Sequence, residues 1–486
     1  MLAKKIFLVA GLLFSISMYS FAQIRFQKTF GGSNHDEAYS VQQTTDGGYV
    51  IGGRTNSFGA GNYGVYLIKT NTNGDTLWTK TFGGSNVDEA YSVKQTTDDG
   101  YVIVGDTKSS GAGDYDVYLI KTNASGVILW TKTFGGSNTD WGNSVQQTSD
   151  GGYIIVGVTY SFGVGDGNVY LIKTNANGDT LWTKTIGRSY PASSIGNSVQ
   201  QTSDGGYVIA GQTKAGAGGN DQLYLIKTNN NGDTLWTKII GGGYPTLGYS
   251  IQQTSDDGYV IGGERNIYDV TGTNAYLMKT NTTGDPIWTK TIGGNDFDFG
   301  YSVQQTTDGG YVLAGSTRSF GAGDFDVFLI KTNSNGDTLW TKTFGGIDYD
   351  GGSSVQQTTD GGYVIAGQTS SFGAGGGDVY LIKTDASGVV AVKSEGSALL
   401  SFTLDQNYPN PFNPTTTIRY YIPERSLVIL KIFDLSGQQV AELVNKEQPA
   451  GSYTIKWQAG GFPSGVYFYR LQSNNFIETK KLILLK

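Results

Sequence analysis

A tyrosine recurs at positions 49, 101, 153, 207, 259, 311 and 363, each time closing a triplet that reads Asp-Gly-Tyr or Gly-Gly-Tyr. The spacings are 52, 52, 54, 52, 52 and 52 residues. A fixed period near fifty means one supersecondary unit stacked on copies of itself. Each unit holds four short segments rich in β-branched and aromatic residues, which in the second unit are 91–96, 101–105, 117–122 and 127–133. Polar turns separate them, as strands require. The turns Thr-Asp-Gly-Gly (45–48) and Asn-x-Asn-Gly-Asp (71–75) supply the positive φ that tight hairpins need. No helical periodicity appears between residues 23 and 393.

Four small antiparallel strands cannot bury both faces of their sheet alone. Seven such sheets around an axis bury one another, so the pattern predicts a seven-bladed β-propeller; an open β-solenoid is the alternative. Trp78, Trp130, Trp182, Trp236, Trp288 and Trp340 occupy one position in six units. That repetition predicts an inter-blade packing slot, with about 3 kcal/mol from burying each ring, rather than a ligand cage. Segment 24–28 matches the Trp-bearing strand but has no unit before it, while 389–393 is a degraded copy at the other end. The N-terminal segment keeps an aromatic, so it is the expected closing strand.

Composition narrows the chemistry. The chain has 486 residues with 73 Gly, no Cys and one His, His35. Disulfides, Cys/His zinc sites and cysteine nucleophiles are thereby excluded. The net charge of −7 argues against nucleic-acid binding. Lys4 and Lys5, an apolar run at 6–18 and Ser20-Phe21-Ala22 predict a signal peptide over 1–22. The run is too short to span a membrane, and no transmembrane segment is expected in the mature chain.

Function is expected on the face that carries the long loops: the blade-to-blade links and the turns between second and third strands. The fourth and fifth units depart from the repeat there, with Tyr190, Tyr244, Leu247, Ile267 and Tyr268 forming a candidate binding patch for a sugar ring or a protein. Drift in packed loops accounts for the same departures. Asp114/Asp116 and Asp324/Asp326 have an Asp-x-Asp spacing in Gly-rich loops that suits a hard cation such as Ca2+. Capping of loop N–H groups by Asp explains them equally, and no cofactor is assigned. His35 lies in a link whose relatives lack His, and no carboxylate pair stands out, so the reading is not an enzyme. A polysaccharide hydrolase or lyase using loop carboxylates is the minority alternative. A structural surface protein without a specific ligand is a third.

Two resemblances add to this. The units, with "DGGYVIAG", resemble the tandem-repeat propellers of secreted bacterial proteins, including the delta-60 type. "NGDTLW" is loosely similar to quinoprotein repeats, but no cofactor-binding residue matches, and the sialidase Asp-box fits poorly. After Ser387 the repeat fails. Six of the nine Pro residues lie beyond position 400, and residues 397–486 carry nine Lys/Arg and six Asp/Glu, or +3, leaving −10 for 1–396. Alternating strands there predict a small immunoglobulin-like β-sandwich over 402–486, after a linker at 394–401. The motifs "NYPNPFNPTTTIRYYIP" (407–423), "LKIFDLSGQQVAELVN", "GSYTIKWQA", "FPSGVYFYRL" and "ETKKLILLK" resemble the type A sorting domain of type IX secretion. Flagellar hook-assembly-like modules share the early part. The resemblance implies the type IX machinery as partner, secretion or attachment at the outer surface of a Gram-negative bacterium, and a sorting signal at Gly465, Tyr467, Lys480, Lys481 and Lys486. On the propeller, a polysaccharide or protein ligand is expected.

Overall fold

The computed structural model describes residues 25–390 and 403–485, apart from 60, 165, 189–192, 215–218, 267–271, 405–406, 408–409, 423–424, 450 and 474–475. Its contacts divide the chain into two compact units, one ending at Val390 and one starting at Ala391. The first holds seven four-stranded antiparallel sheets. Blade one runs Asp36–Gln43, Tyr49–Thr55, Gly64–Thr70 and Thr76–Phe82, from inner to outer strand. Blades two to six repeat that order. Blade seven takes three strands from the end of the array, Asp350–Gln357, Tyr363–Thr369 and Asp378–Thr384. Its outer strand is the N-terminal Phe26–Phe30, paired antiparallel with Asp378–Thr384, so the expected strand closes the ring.

The blades share their cores. Val50, Val65 and Leu67 of blade one form one buried cluster with Ala90, Val93, Tyr101 and Ile103 of blade two, and the other interfaces repeat it. The Trp residues do sit between blades, but at the rim. Trp78 lies edge-on to Tyr101 of the next blade, with ring centroids 5.9 Å apart, and across Gly126. It is half-buried because its strand is outermost, so full burial of the ring is not realised. Phe26 takes the same place over Tyr49 and Gly74 and is 8% exposed.

An innermost strand has an unpaired edge, a liability that proteins cap. Here the preceding blade caps it. Ser40 Oγ accepts from the Val93 N–H at 3.1 Å, and the same bond recurs at every interface until Ser354 accepts from Val41. On the face of the tight turns, Gln95 Oε1 accepts from the Thr45 N–H, again at all seven interfaces, ending with Gln43 and Thr359. That face also carries a staple. Lys69 is 4% exposed, yet its ammonium reaches Asp46 at 2.8 Å and the Thr70 carbonyl at 2.9 Å. All seven units repeat the ion pair.

The second unit is a two-sheet sandwich. One sheet orders Thr403–Leu404, Thr415–Ile422 and Gly451–Gln458; the other orders Gln439–Gln448, Ser426–Phe433, Gly465–Ser473 and Phe476–Leu484. Ile418, Tyr420 and Trp457 from the first meet Val428, Leu430, Ile432, Tyr469 and Leu471 from the second in one core. Strand Gln439–Gln448 lacks the alternating pattern that marks the other strands of this domain. Its Glu, Asn, Lys and Gln residues break the alternation, since it is an edge strand with one buried hydrophobic side chain, Val444.

Candidate functional site

Two adjacent rungs of the blades behave in opposite ways. In the rung that pairs Ala38 with Gly53, the second strand carries Gly in all seven blades, and the inner strand carries Ala or Gly. Packing explains it: a Cβ on Gly53 would lie 1.9 Å from the Glu37 carbonyl oxygen. One residue nearer the links, no pair occurs twice. The seven rungs read Glu37/Arg54, Glu89/Asp106, Trp141/Val158, Ile195/Gln212, Leu247/Glu264, Phe299/Ser316 and Gly351/Gln368. Because inner strands of neighbouring blades pack side by side around the ring, these rungs encircle the mouth of the central channel on the link face.

Blades one and two make the mouth ionic. Arg54 donates to Glu37 at 2.9 Å and, across the blade interface, to Glu89 at 2.8 Å. Its guanidinium lies 4.6 Å from the Tyr63 ring centroid, a cation–π contact. The Tyr39 and Tyr91 hydroxyls donate to Glu37 and Glu89. His35 Nε2 stands 3.6 Å from Glu37. Burial works against the Glu37 carboxylate, but His35 and Arg54 outweigh it and hold its pKa below the usual carboxylate range. At Asp106 the balance falls the other way: burial is not offset by a hydrogen bond from Tyr91 and the Arg54 charge, which lower its pKa. Burial, and then the Glu89 charge beside it, push its carboxyl up to about 8, and its Oδ1 meets no donor. Aligning the seven units position by position is the signal that finds this cluster, which comparison of the loops alone overlooks.

Blades three and six carry aromatic rings in this rung instead. Phe299 stacks near-parallel on Phe325 and on Tyr301, both at 5.7 Å, and Phe325 meets Tyr349. Trp141, 37% exposed, sets its ring against Tyr160 at 6.2 Å. These two rings line a pocket of about 600 Å³ with Asp114, Asn138, Thr139 and Asp166. Five polar side chains and the two aromatic rings make up its lining, Ser137 completing the set.

Among the sequence-predicted patch, Tyr190, Ile267 and Tyr268 lie outside the described residues. Leu247 sits in the channel-mouth rung opposite Glu264, and Tyr244 is half-buried in the link before it. In the Asp-x-Asp loops the two carboxylates part company. Asp114 pairs with Lys108 at 2.7 Å, while buried Asp116 accepts from the Ala112 and Gly113 N–H groups. Asp324 likewise faces Arg318, and Asp326 accepts from Ala322. Among the described residues, no group of three or more acidic or His side chains is placed to hold a metal.

In the sandwich, Gly465 opens the penultimate strand. Tyr467 is a core residue against Trp457, its hydroxyl donating to the Pro463 carbonyl at 2.8 Å. Lys480 pairs with Glu478 and Lys481 is exposed on the last strand; Lys486 lies outside the described residues. The Asn-Pro motif clamps that strand. Asn410 Oδ1 accepts from the Ile483 N–H at 2.8 Å, Phe412 donates to Ile483, and Leu485 donates back to Phe412.

Residues 406–485 match the family model of the secretion system C-terminal sorting domain. No curated protein matches the chain by sequence. Among solved structures it is similar to PorZ, a surface component of the type-IX secretion system of Porphyromonas gingivalis, at 12% identity and a TM-score of 0.43, covering 94% of this chain and 60% of that one. The chain thus spans less than two thirds of that protein. The Neurospora crassa Pan2 WD40 domain is similar at 10% identity and a TM-score of 0.43, over 75% of this chain and 96% of that one. The propeller domain of the Pyrococcus furiosus Trilobed protease gives 9% and 0.37, over 76% and 97%. No helix among the described residues is long and apolar enough to cross a membrane. Behind seven closed four-stranded blades the chain thus carries a secretion-system C-terminal sorting domain, the mark of a β-propeller protein that is secreted or attached at the outer surface of a bacterium.

Proposed function

We propose that the chain is an exported recognition scaffold that binds polysaccharide on the link face of its propeller. In this reading, residues 1–22 direct passage across the inner membrane, 23–393 form the binding disc, 394–401 link it to the last domain, and 402–486 engage the type IX machinery. The observation that carries it is the pair of adjacent rungs. Where packing decides, the seven units agree; at the channel mouth they differ in every blade, with ionisable pairs in blades one and two and aromatic rings in blades three and six. A structural disc without a ligand gains nothing from that asymmetry.

The pocket around Trp141 and Tyr160 is the seat we assign to a sugar ring, with Asp114 and Asp166 accepting from its hydroxyls. Two carboxylates at its rim favour neutral or amino sugars over uronic acids. Tyr244 and Leu247 belong to a second contact area further around the mouth. A hydrolase reading draws no support from Glu89 and Asp106, which are 7% and 2% exposed and so closed to a glycosidic bond. The test is retention of the full secreted chain on immobilised neutral, amino and acidic polysaccharides, with released sugars measured alongside. Retention without release, weakened at least tenfold (about 1.4 kcal/mol) in Trp141→Ala, is expected. Unchanged retention in that variant would overturn the assignment, and sugar release would replace binding by catalysis.

A further inference from the structure

The third strand of each blade carries one buried ring near the link face: Tyr66, Tyr118, Tyr170, Tyr224, Tyr276, Phe328 and Tyr380, each 9% exposed or less. In four blades a loop phenylalanine covers it. Phe58 lies on Tyr66 with ring centroids 5.7 Å apart, and Phe162, Phe320 and Phe372 cover Tyr170, Phe328 and Tyr380 in the same way. Blades four and five bring an arginine to theirs. Position 188 is Gly in the six other links, from Gly32 to Gly346, and position 265 is Thr in the six other second strands, from Thr55 to Thr369. Arg265 holds its guanidinium 6.0 Å from the Tyr276 ring centroid, at the outer limit of a cation–π contact. Burial raises the pKa of the Tyr224 hydroxyl, and the charge of nearby Arg188 offsets part of that rise.

The same two blades lack the acids of the others. The inner strand opens on Asp in five blades, but on Ser194 and Thr246 in blades four and five. At each seam that residue meets the one opening the preceding blade's third strand. A Cβ on Gly135 would lie 1.9 Å from Asp116 and 2.7 Å from Asp140, and Gly345 marks the same meeting of Asp326 with Asp350. The seam into blade four reads Asn168 and Ser194, and the seam into blade five Gln222 and Thr246, with no carboxylate in either. Each of these seams holds one of the arginines: Arg188 lies in the link that leads to Ser194, and Arg265 is the cross-strand partner of Thr246. Protein cations taken partly out of water are ordinarily matched by acids. Arg54 has Glu37 and Glu89, Arg318 faces Asp296 and Asp324, Lys108 holds Asp114, and Lys214 stands across from Asp221. Arg188 and Arg265 form no ion pair among the described residues.

Packed sheets lie about 10 Å apart, so arginines on neighbouring blades suit a chain that repeats its charge rather than one small ion. Each guanidinium fork matches a carboxylate. We propose that the link face over blades four and five binds a polyuronate, whose carboxylates pair with Arg188 and Arg265. This rests on the polysaccharide reading above, but it assigns a seat separate from the Trp141 pocket and a different class of sugar. The probe is polygalacturonate against its fully methyl-esterified form, which keeps the backbone and removes the charge. The full secreted chain should bind the acid at least tenfold more tightly than the ester, and the preference should shrink as salt is raised. Arg188→Gly with Arg265→Thr restores the residues of the other six blades and should abolish the preference. Ser194→Asp with Thr246→Asp should do the same, because it leaves both arginines in place and supplies the carboxylates of the other five inner strands. A thermal melt checks that each variant is folded. Equal binding of acid and ester by the wild type, a preference that survives either double variant, or one that Trp141→Ala abolishes would overturn the proposal. Absence of Trp141-dependent retention on neutral and amino polysaccharides would overturn the sugar pocket alone.

Discussion

The turn face and the link face of the disc are made by the same seven units, but they differ in what repeats. On the turn face each blade makes the same Lys–Asp staple and the same Gln cap to its neighbour. On the link face the rung at the channel mouth never repeats, and four of its five ionisable residues lie in blades one and two, Glu264 in blade five being the other. A repeat array holds together through identical nearest-neighbour contacts, so positions that must pack resist change and are copied. Positions that vary within one chain answer instead to blade-specific neighbours, as Arg54 does with Glu37 and Glu89.

Substitutions on either side of that boundary can break the distinction. The largest effect is expected one residue from the variable rung. Gly53→Ala drives a Cβ to within 1.9 Å of the Glu37 carbonyl oxygen and should cost about 3 kcal/mol in denaturant unfolding. If it is tolerated, the invariant rung is not set by packing. Arg54→Met is next: it strands Glu37 and Glu89, and about 2 kcal/mol of stability should be lost, less than for a fully buried pair because Arg54 keeps some solvent contact. Loss of polysaccharide retention without loss of stability would instead make Arg54 a ligand contact.

Asp106 offers a sharper readout through pH. Its carboxyl is raised from 3.8 to about 8 by burial and Glu89, so the folded state holds a proton that the unfolded chain has released between those values. Stability contributed by this group is therefore full below about pH 4, falls as pH rises, and levels off above about 8, with a slope of at most about 1.4 kcal/mol per pH unit. Asp106→Asn should flatten that window; an unchanged pH profile would show that the acid is not neutral in the fold. The smallest effect on stability, about 1 kcal/mol, is expected for Trp141→Ala, whose ring keeps over a third of its surface in solvent.

Much of the architecture was legible in the chain. The period gave the blade count, the Gly-Asp turns gave the hairpins, and the aromatic in segment 24–28 identified the closing strand, realised by Phe26 over Gly74. The sorting domain was legible through motifs that turn out to hold the terminal strand, Asn410 and Phe412 among them. The candidate site was not. Length and aromatic content change visibly in the loops instead. Glu37, Asp106 and Trp141 stand inside ordinary-looking strands, and their neighbourhood exists only after seven strands distant in sequence meet at one axis.

Local chemistry, repeated, was enough to settle the strands, the turns and the fact of a closed ring, because each depends on residues within one unit or its neighbour. The depth of the Trp slot, the divergence of Asp114 from Asp116 and the meeting of Arg54 with Glu89 were decided by tertiary structure. Each depends on how far a residue lies from the axis and on which side chain the next blade presents, and a one-dimensional repeat carries no record of either.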